Sequence, residues 1–383
     1  MNITKLTTLT CGLSVSLCFN LLVAREANAI TLIADTRGAF SSFNGGPALN
    51  DKGTIAFSAS LDAGGSGIFT SSGGSLTTIA NTSGYFANAK FNSTPAINNQ
   101  GTVAFTTSLN ALYGIGDSLF TSSGGSLTTI GISTNVYTLY SSPDINDEGT
   151  VAFTFGEGLR SENVFTSSDG SLTQISSNFN YITAGPDINN QGTVAFAGAG
   201  PGGILTSSGG QVTSIVDVSN NPFNTFPNGL VINDEGTVAF GAELKTGELG
   251  IFTSSGGVFT SIADTSDPFS EFVDLAINNQ GTVAFLAGLD EGGYGIFTGS
   301  DPIADKVIAT GDSLLGSTVT SLESFGLNNS GEIAFSATLA DGTQGIFRTE
   351  PVPEPVSALG LVMVVSAFGA SSLHKRSQLS KRF

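Results

Sequence analysis

Between residues 30 and 350 the chain has no histidine, no cysteine and no tryptophan; the single histidine is His374, and both cysteines, Cys11 and Cys18, lie in the first 20 residues. These absences exclude Ser–His–Asp and Cys–His catalysis, zinc sites of His and Cys, haem ligation and structural disulfides from that span. Charge is also scarce, at 11% of residues. Basic groups are the scarcest: residues 30–353 hold seven, against 29 acidic ones, a net of −22. A surface of that sign repels nucleic acid, anionic lipid and acidic polymers at long range. It suits neutral glycans, cationic partners or divalent cations, and it also serves solubility.

What is abundant points to strands. Gly occurs 50 times and Phe 28 times in 383 residues, and the apolar fraction is 40%. Many turn formers, many aromatic and β-branched residues and little charge describe an all-β protein, not a disordered one.

The two ends read as addresses. Residues 1–29 have a weakly basic start at Lys5, an apolar stretch from Leu6 to Val23, and the small-x-small pattern Ala27-Asn28-Ala29, as a cleaved secretory signal has. The other end, 351–383, joins Pro353-Glu354-Pro355 to an uncharged stretch, 356–373, and a basic tail, 374–383. Eighteen residues of helix span about 27 Å, enough for a bilayer core, and the basic tail would stay cytoplasmic with the rest outside. This three-part order resembles the PEP-CTERM sorting signals of exopolysaccharide-producing bacteria. The resemblance implies an exosortase-type membrane peptidase as partner, with processing near Pro353-Glu354-Pro355; an ordinary uncleaved anchor is the alternative. Either implies an extracytoplasmic protein at the cell surface or in the matrix.

The middle is repetitive. The pattern N-x-x-G-x-[IV]-A-F begins at Asn50, Asn98, Asn146, Asn189, Asn233, Asn278 and Asn328, at intervals of 43 to 50 residues. Each copy predicts four short strands: one ending in Ile-Asn, a second through the Ala-Phe core, a third such as Ile68-Phe69-Thr70-Ser71, and a fourth such as Leu76–Ile79. Gly73-Gly74 marks the hairpin between the last two. Four strands per 45 or so residues is a propeller blade. The last unit stops after its third strand, at Gly345–Arg348, while Thr31–Thr36 at the start is an orphan fourth strand. Residues 30–350 are therefore expected to form a seven-bladed β-propeller closed by the N-terminal strand, followed by a C-terminal hydrophobic helix. The Ala beside each Phe is expected to admit a neighbouring blade's ring. The seven motifs resemble the tandem-repeat, choice-of-anchor surface proteins, a resemblance that implies sorting to the surface and supplies no catalytic residues.

Three sets of residues are candidates for chemistry. The turns Asn146-Asp147-Glu148-Gly149 and Asn233-Asp234-Glu235-Gly236 gather oxygens of the kind Ca²⁺ takes, but sister copies read Asn-Asn-Gln-Gly, which favours a structural turn. Asp144 and Asp187, both in Pro-Asp-Ile-Asn, stand where other copies have Ala, Val or Gly. On adjacent blades near the axis they would bind a cation or act as an acid and its partner base; bonding to backbone amides is the favoured reading. The links before each inner strand carry aromatics at three-residue spacing, such as Phe40 with Phe43 and Phe269 with Phe272. Inward anchoring is favoured for these, with Tyr85, Tyr137, Tyr140 and Tyr181 the better candidates for stacking on sugar. The functional expectation is a non-catalytic surface or matrix protein that binds glycan or protein through one propeller face. A purely architectural component and a carboxylate-based polysaccharide enzyme are the alternatives. No cofactor is expected, with Ca²⁺ as the alternative.

Overall fold

Each Asn-x-x-Gly motif folds into the same tight turn. In the first copy the Asn50 side-chain oxygen accepts the amides of Lys52 and Thr54, at 3.1 and 2.9 Å, and the Gly53 amide donates to the Asn50 carbonyl at 3.0 Å. The seven glycines of these turns have φ between +73° and +83°, where a Cβ would be strained. Asn supplies the acceptor and Gly the handedness, so the chain reverses into an antiparallel partner strand.

The structure is a computed structural model that describes residues 29–351 apart from 92, 110–116, 133–141, 157–161, 177–180, 200–202, 220, 228 and 267. Blade 1 shows the plan. Its inner strand, Ala48–Leu49, pairs with Ile55–Leu61, which pairs with Ser66–Ser72, which pairs with the outer strand Ser75–Asn81. Seven such sheets follow one another in chain order and form a seven-bladed β-propeller.

The blades pack through the Ala-Phe cores. Pleating sends Ile55, Phe57 and Ala59 to one face of their strand and Ala56 and Ser58 to the other, and all five are fully buried. Ala56 lies in a cluster with Val103 and Phe105 of blade 2, Ala104 with Val151 and Phe153 of blade 3, and so on to Ala334 with Ile55 and Phe57 of blade 1. Each interface is thus a large residue seated on a small one, and the series is cyclic. A bulge near the middle of the outer strand, at Ile79 in blade 1, turns that side chain onto the next blade's cluster. The same bulge interrupts an edge that would otherwise be open to pairing.

The ring closes with the N-terminal strand. Ile30–Asp35 runs antiparallel to Gln344–Thr349, with Leu32 opposite Phe347 and Asp35 opposite Gly345. Blade 7 also carries an ion pair at the position of a threonine–threonine pair elsewhere. Arg348 lies 3.7 Å from Glu332 and donates to the Gly53 carbonyl of blade 1 at 3.0 Å.

The aromatics expected in links are placed differently. Phe40–Phe43, Phe223–Thr225 and Phe269–Ile277 are strands that extend the inner strand of blades 1, 5 and 6. A register shift after the first Phe of each strand accompanies its three-residue spacing, and both rings reach the interior side. Phe40 meets Phe57 and Phe69 edge-on, at 5.7 and 5.0 Å, over their stacked pair. The same three-ring group recurs with Phe223, Phe240 and Phe252 and with Phe269, Phe285 and Phe297. Residues 1–28, the Pro353-Glu354-Pro355 motif and the stretch 356–373 lie outside the described residues, among which no helix is long and apolar enough to cross a membrane.

Candidate functional site

The inner strands surround a central channel whose wall is built in layers by position relative to each repeat's Asn. The Asn side chains themselves are buried, and the amide groups of Asn50, Asn98, Asn146, Asn189, Asn233 and Asn328 each reach the next blade. Asn50 donates to the Asn98 carbonyl at 2.9 Å, Asn98 to Asn146 at 3.0 Å, and Asn233 to Asn278 at 3.0 Å.

The next residue of every turn is also Asp or Asn, and these seven form a second ring at the channel mouth. In chain order they are Asp51, Asn99, Asp147, Asn190, Asp234, Asn279 and Asn329. The backbone amide of each donates to the side-chain Oδ1 of the one following, at 2.7–2.8 Å, and Asn329 closes onto Asp51. The three carboxylates are never neighbours. Asn99 Nδ2 donates to Asp51 and Asp147 at 2.8 and 3.0 Å, and Asn190 and Asn279 both donate to Asp234, at 3.1 and 2.7 Å. Seven positions hold at most three acids without two meeting, and this ring holds three. With the Leu and Ile side chains below, the ring encloses a cavity of about 200 Å³. Its carboxylates are engaged by amides, which is what an interblade clasp needs. The sequence expectation of a turn was right for the Asn and Gly, but it missed this ring. The signal was available in the invariant Asp-or-Asn at the second position.

One layer deeper, Asp144 and Asp187 interrupt a wall of Ala48, Ala96, Val231, Ala276 and Gly326. The structure brings the two carboxyls together on adjacent blades, hydrogen-bonded to each other. Asp144 Oδ2 accepts the Ile188 amide at 2.8 Å and Asp187 Oδ2 accepts the Ile232 amide at 2.5 Å, so each holds the blade after its own. Burial in the channel raises both above the ordinary carboxylate range, and the Asp144 charge pushes Asp187 up further. Further along the wall, Asp274 is also raised by burial and accepts from the Ser324 hydroxyl at 2.9 Å. Among the described residues no group of three or more His, Cys, Asp or Glu is arranged to hold a metal ion.

Of the four tyrosine candidates, Tyr85 alone has a side chain among the described residues. Tyr85 is 62% exposed on a short 3₁₀ turn, Gly84–Phe86, resting edge-on against Phe86 and Phe120. The Tyr181 backbone opens the inner strand of blade 4, opposite Ala199. The Tyr181 side chain, Tyr137 and Tyr140 lie outside the described residues. An exposed ring that sequence reasoning passed over is Tyr294, whose hydroxyl donates to Glu271 at 2.5 Å.

A family model matches residues 20–359, nearly the whole chain. The chain belongs to the DUF7453 family. That family's description is one of unknown function, so membership brings no residue roles to this DUF7453 chain. No curated protein matches the sequence. Solved structures do resemble it. A chain in a crystal structure of the mitotic checkpoint complex aligns with a TM-score of 0.53 and 11% identity, over 88% of this chain and 99% of that one. YCF48, in a structure bound to a D1 peptide, aligns at 0.50 and 11%, over 86% and 98%. A puromycin-hydrolyzing peptidase of Mycobacterium tuberculosis aligns at 0.51 and 12%, over 84% of this chain and 55% of that one. At such identities the likeness shows the fold alone.

Proposed function

We propose that this DUF7453 member is an exported propeller of the cell surface or extracellular matrix that binds a ligand through one face and performs no catalysis. The observation that carries the reading is the engagement of its channel carboxylates. Asp144 and Asp187, the pair best placed for acid–base work, each hold the next blade's backbone amide, and Asp51, Asp147 and Asp234 accept from the amides of the mouth ring. An acid and base serving catalysis need their oxygens free toward a substrate; these serve the scaffold.

The signal-like residues 1–29 support export. The sequence of Pro353-Glu354-Pro355, apolar stretch 356–373 and basic tail supports sorting by an exosortase-type peptidase and membrane attachment. The net of −22 over residues 30–353 supports a neutral or cationic partner, and the YCF48 structure supplies a propeller of this shape bound to a peptide.

Two measurements on the full-length chain test this. Fractionation of producing cells should place the protein outside the cytoplasm, with its C-terminal processing altered by Pro353→Ala and Glu354→Ala. Purified protein should be retained on the cells' own surface polymer, with or without Ca²⁺. A cytoplasmic location overturns the export reading, and absence of retention favours a purely architectural component.

A further inference from the structure

Blade 6 departs from the repeat on the face that carries the Asn-x-x-Gly turns. In blade 5 the second and third strands pair from Val238–Ser254, and the outer hairpin extends to Ser255–Val258. In blade 6 the ladder begins two residues later, at Phe285–Phe297, and the outer strand joins only at Lys306, opposite Phe297. Gly299 stands where the other six blades bury a hydroxyl, at Ser71, Ser122, Ser167, Ser207, Ser254 and Thr349. A longer loop replaces the two-residue turn. It is fixed by its own acids: Asp301 accepts the amides of Ile303 and Ala304, both at 2.9 Å, and Asp305 accepts the Asp301 amide at 3.1 Å.

Shortening the hairpin opens a groove on each side of blade 6. One, of about 370 Å³, lies against Ser261 and Ile262 in the outer strand of blade 5. The other, of about 180 Å³, lies against Asn329 and Ser330 in the turn of blade 7. Gln280, Thr282 and Thr298 line both, and no charged side chain lines either.

We propose that these paired grooves bind a neutral oligosaccharide. The proposal deepens the binding reading above and rests on it. Hydroxyls and carboxamides both donate and accept hydrogen bonds, as sugar hydroxyls do, and here they line two grooves that share Gln280, Thr282 and Thr298. An anionic polymer is repelled by the protein's field. A cation finds no carboxylate in the lining. A peptide strand draws its specificity from pockets for alternate side chains, and only Ile262, Val283 and Leu327 among the lining residues offer large apolar surface.

The test is titration of the full-length protein with uncharged gluco-, manno- and galacto-oligosaccharides of four to six units, by calorimetry and saturation-transfer NMR. An oligogalacturonate and an uncharged Ser/Asn hexapeptide serve as comparisons. At least one neutral series should bind, and Gln280→Ala combined with Ser330→Ala should weaken it at least tenfold. Both side chains are exposed, so the melting temperature should not move. Gln191→Ala, at the same turn position in blade 4, should leave binding unchanged. Binding insensitive to the double substitution, preference for the anionic sugar or the peptide, or no binding of any neutral oligosaccharide overturns the proposal. Retention on surface polymer that survives the double substitution ends the groove proposal alone; absence of retention by the unaltered protein ends the binding reading too.

Discussion

Asn328 of the last blade donates its side-chain amide to the carbonyl of Asn50 in the first at 3.1 Å, the bond that Asn50 makes to Asn98 at 2.9 Å. The channel wall therefore carries its hydrogen bonding across the junction between the chain's ends without interruption. Closure is a property of side chains in the turns as well as of the N-terminal strand.

Replacing one of these asparagines should be expensive. Asn233 accepts the Thr237 amide and donates to the Asn278 carbonyl, all in a buried site. Asn233→Ala leaves the Thr237 amide without its acceptor, while the Asn278 carbonyl keeps the Gly281 amide at 3.0 Å, and should cost about 1–3 kcal/mol by denaturant unfolding. A loss below about 0.5 kcal/mol would show that water replaces the clasp.

The aromatic groups predict a second, independent loss. Phe240 is fully buried, stacked on Phe252 and met edge-on by Phe223. Phe240→Ala should destabilise by roughly 3–5 kcal/mol. An unchanged melting temperature would mean that the interface collapses around the cavity.

Removal of residues 1–36 should strip Gln344–Thr349 of its partner. The truncated protein should melt lower and expose a pairing edge, and a peptide of residues 29–36 added in excess should restore the melting temperature. A truncated protein as stable as the whole would contradict closure by that strand.

The Asp187 carboxyl predicts the pH dependence. Its folded-state value is raised, so the folded protein holds a proton that the unfolded chain gives up near pH 4. Its contribution to stability is full below that pH and is lost as pH rises toward the folded-state value. Asp187→Asn keeps an oxygen acceptor for Ile232 without the charge. It should flatten the stability profile above pH 4 and equal or exceed the natural protein at pH 7. A variant less stable at pH 7 would mean that the ionised form is the one the channel favours.

Much of the fold was legible because its determinants are local and repeated seven times. The Asn and Gly of each turn, the Gly-Gly hairpins and the orphan Thr31–Thr36 strand each have a conformational reason that a sequence displays directly. The placement of Asp144 beside Asp187 was legible too, since Pro-Asp-Ile-Asn fixes both to the inner strand. What was hidden depends on geometry between blades. Phe40 and Phe43 read as loop residues because a register shift, invisible in composition, puts rings three apart on one side. The mouth ring was hidden because Asp147 and the Asn99 of a sister copy read as alternatives at one site when they are neighbours that bond each other. The grooves follow from an absence, the missing rungs beside Val283, which only the paired strands reveal.

The measurement that tests the account most directly is retention of the Asp144→Asn/Asp187→Asn protein on the producing cells' surface polymer, beside the unaltered protein. If the channel acids belong to the scaffold, the double variant stays folded and is retained equally, and no polymer is cleaved by either protein. A folded variant that loses retention, or a cleavage activity that disappears with the two acids, would place the function in the channel and contradict the account.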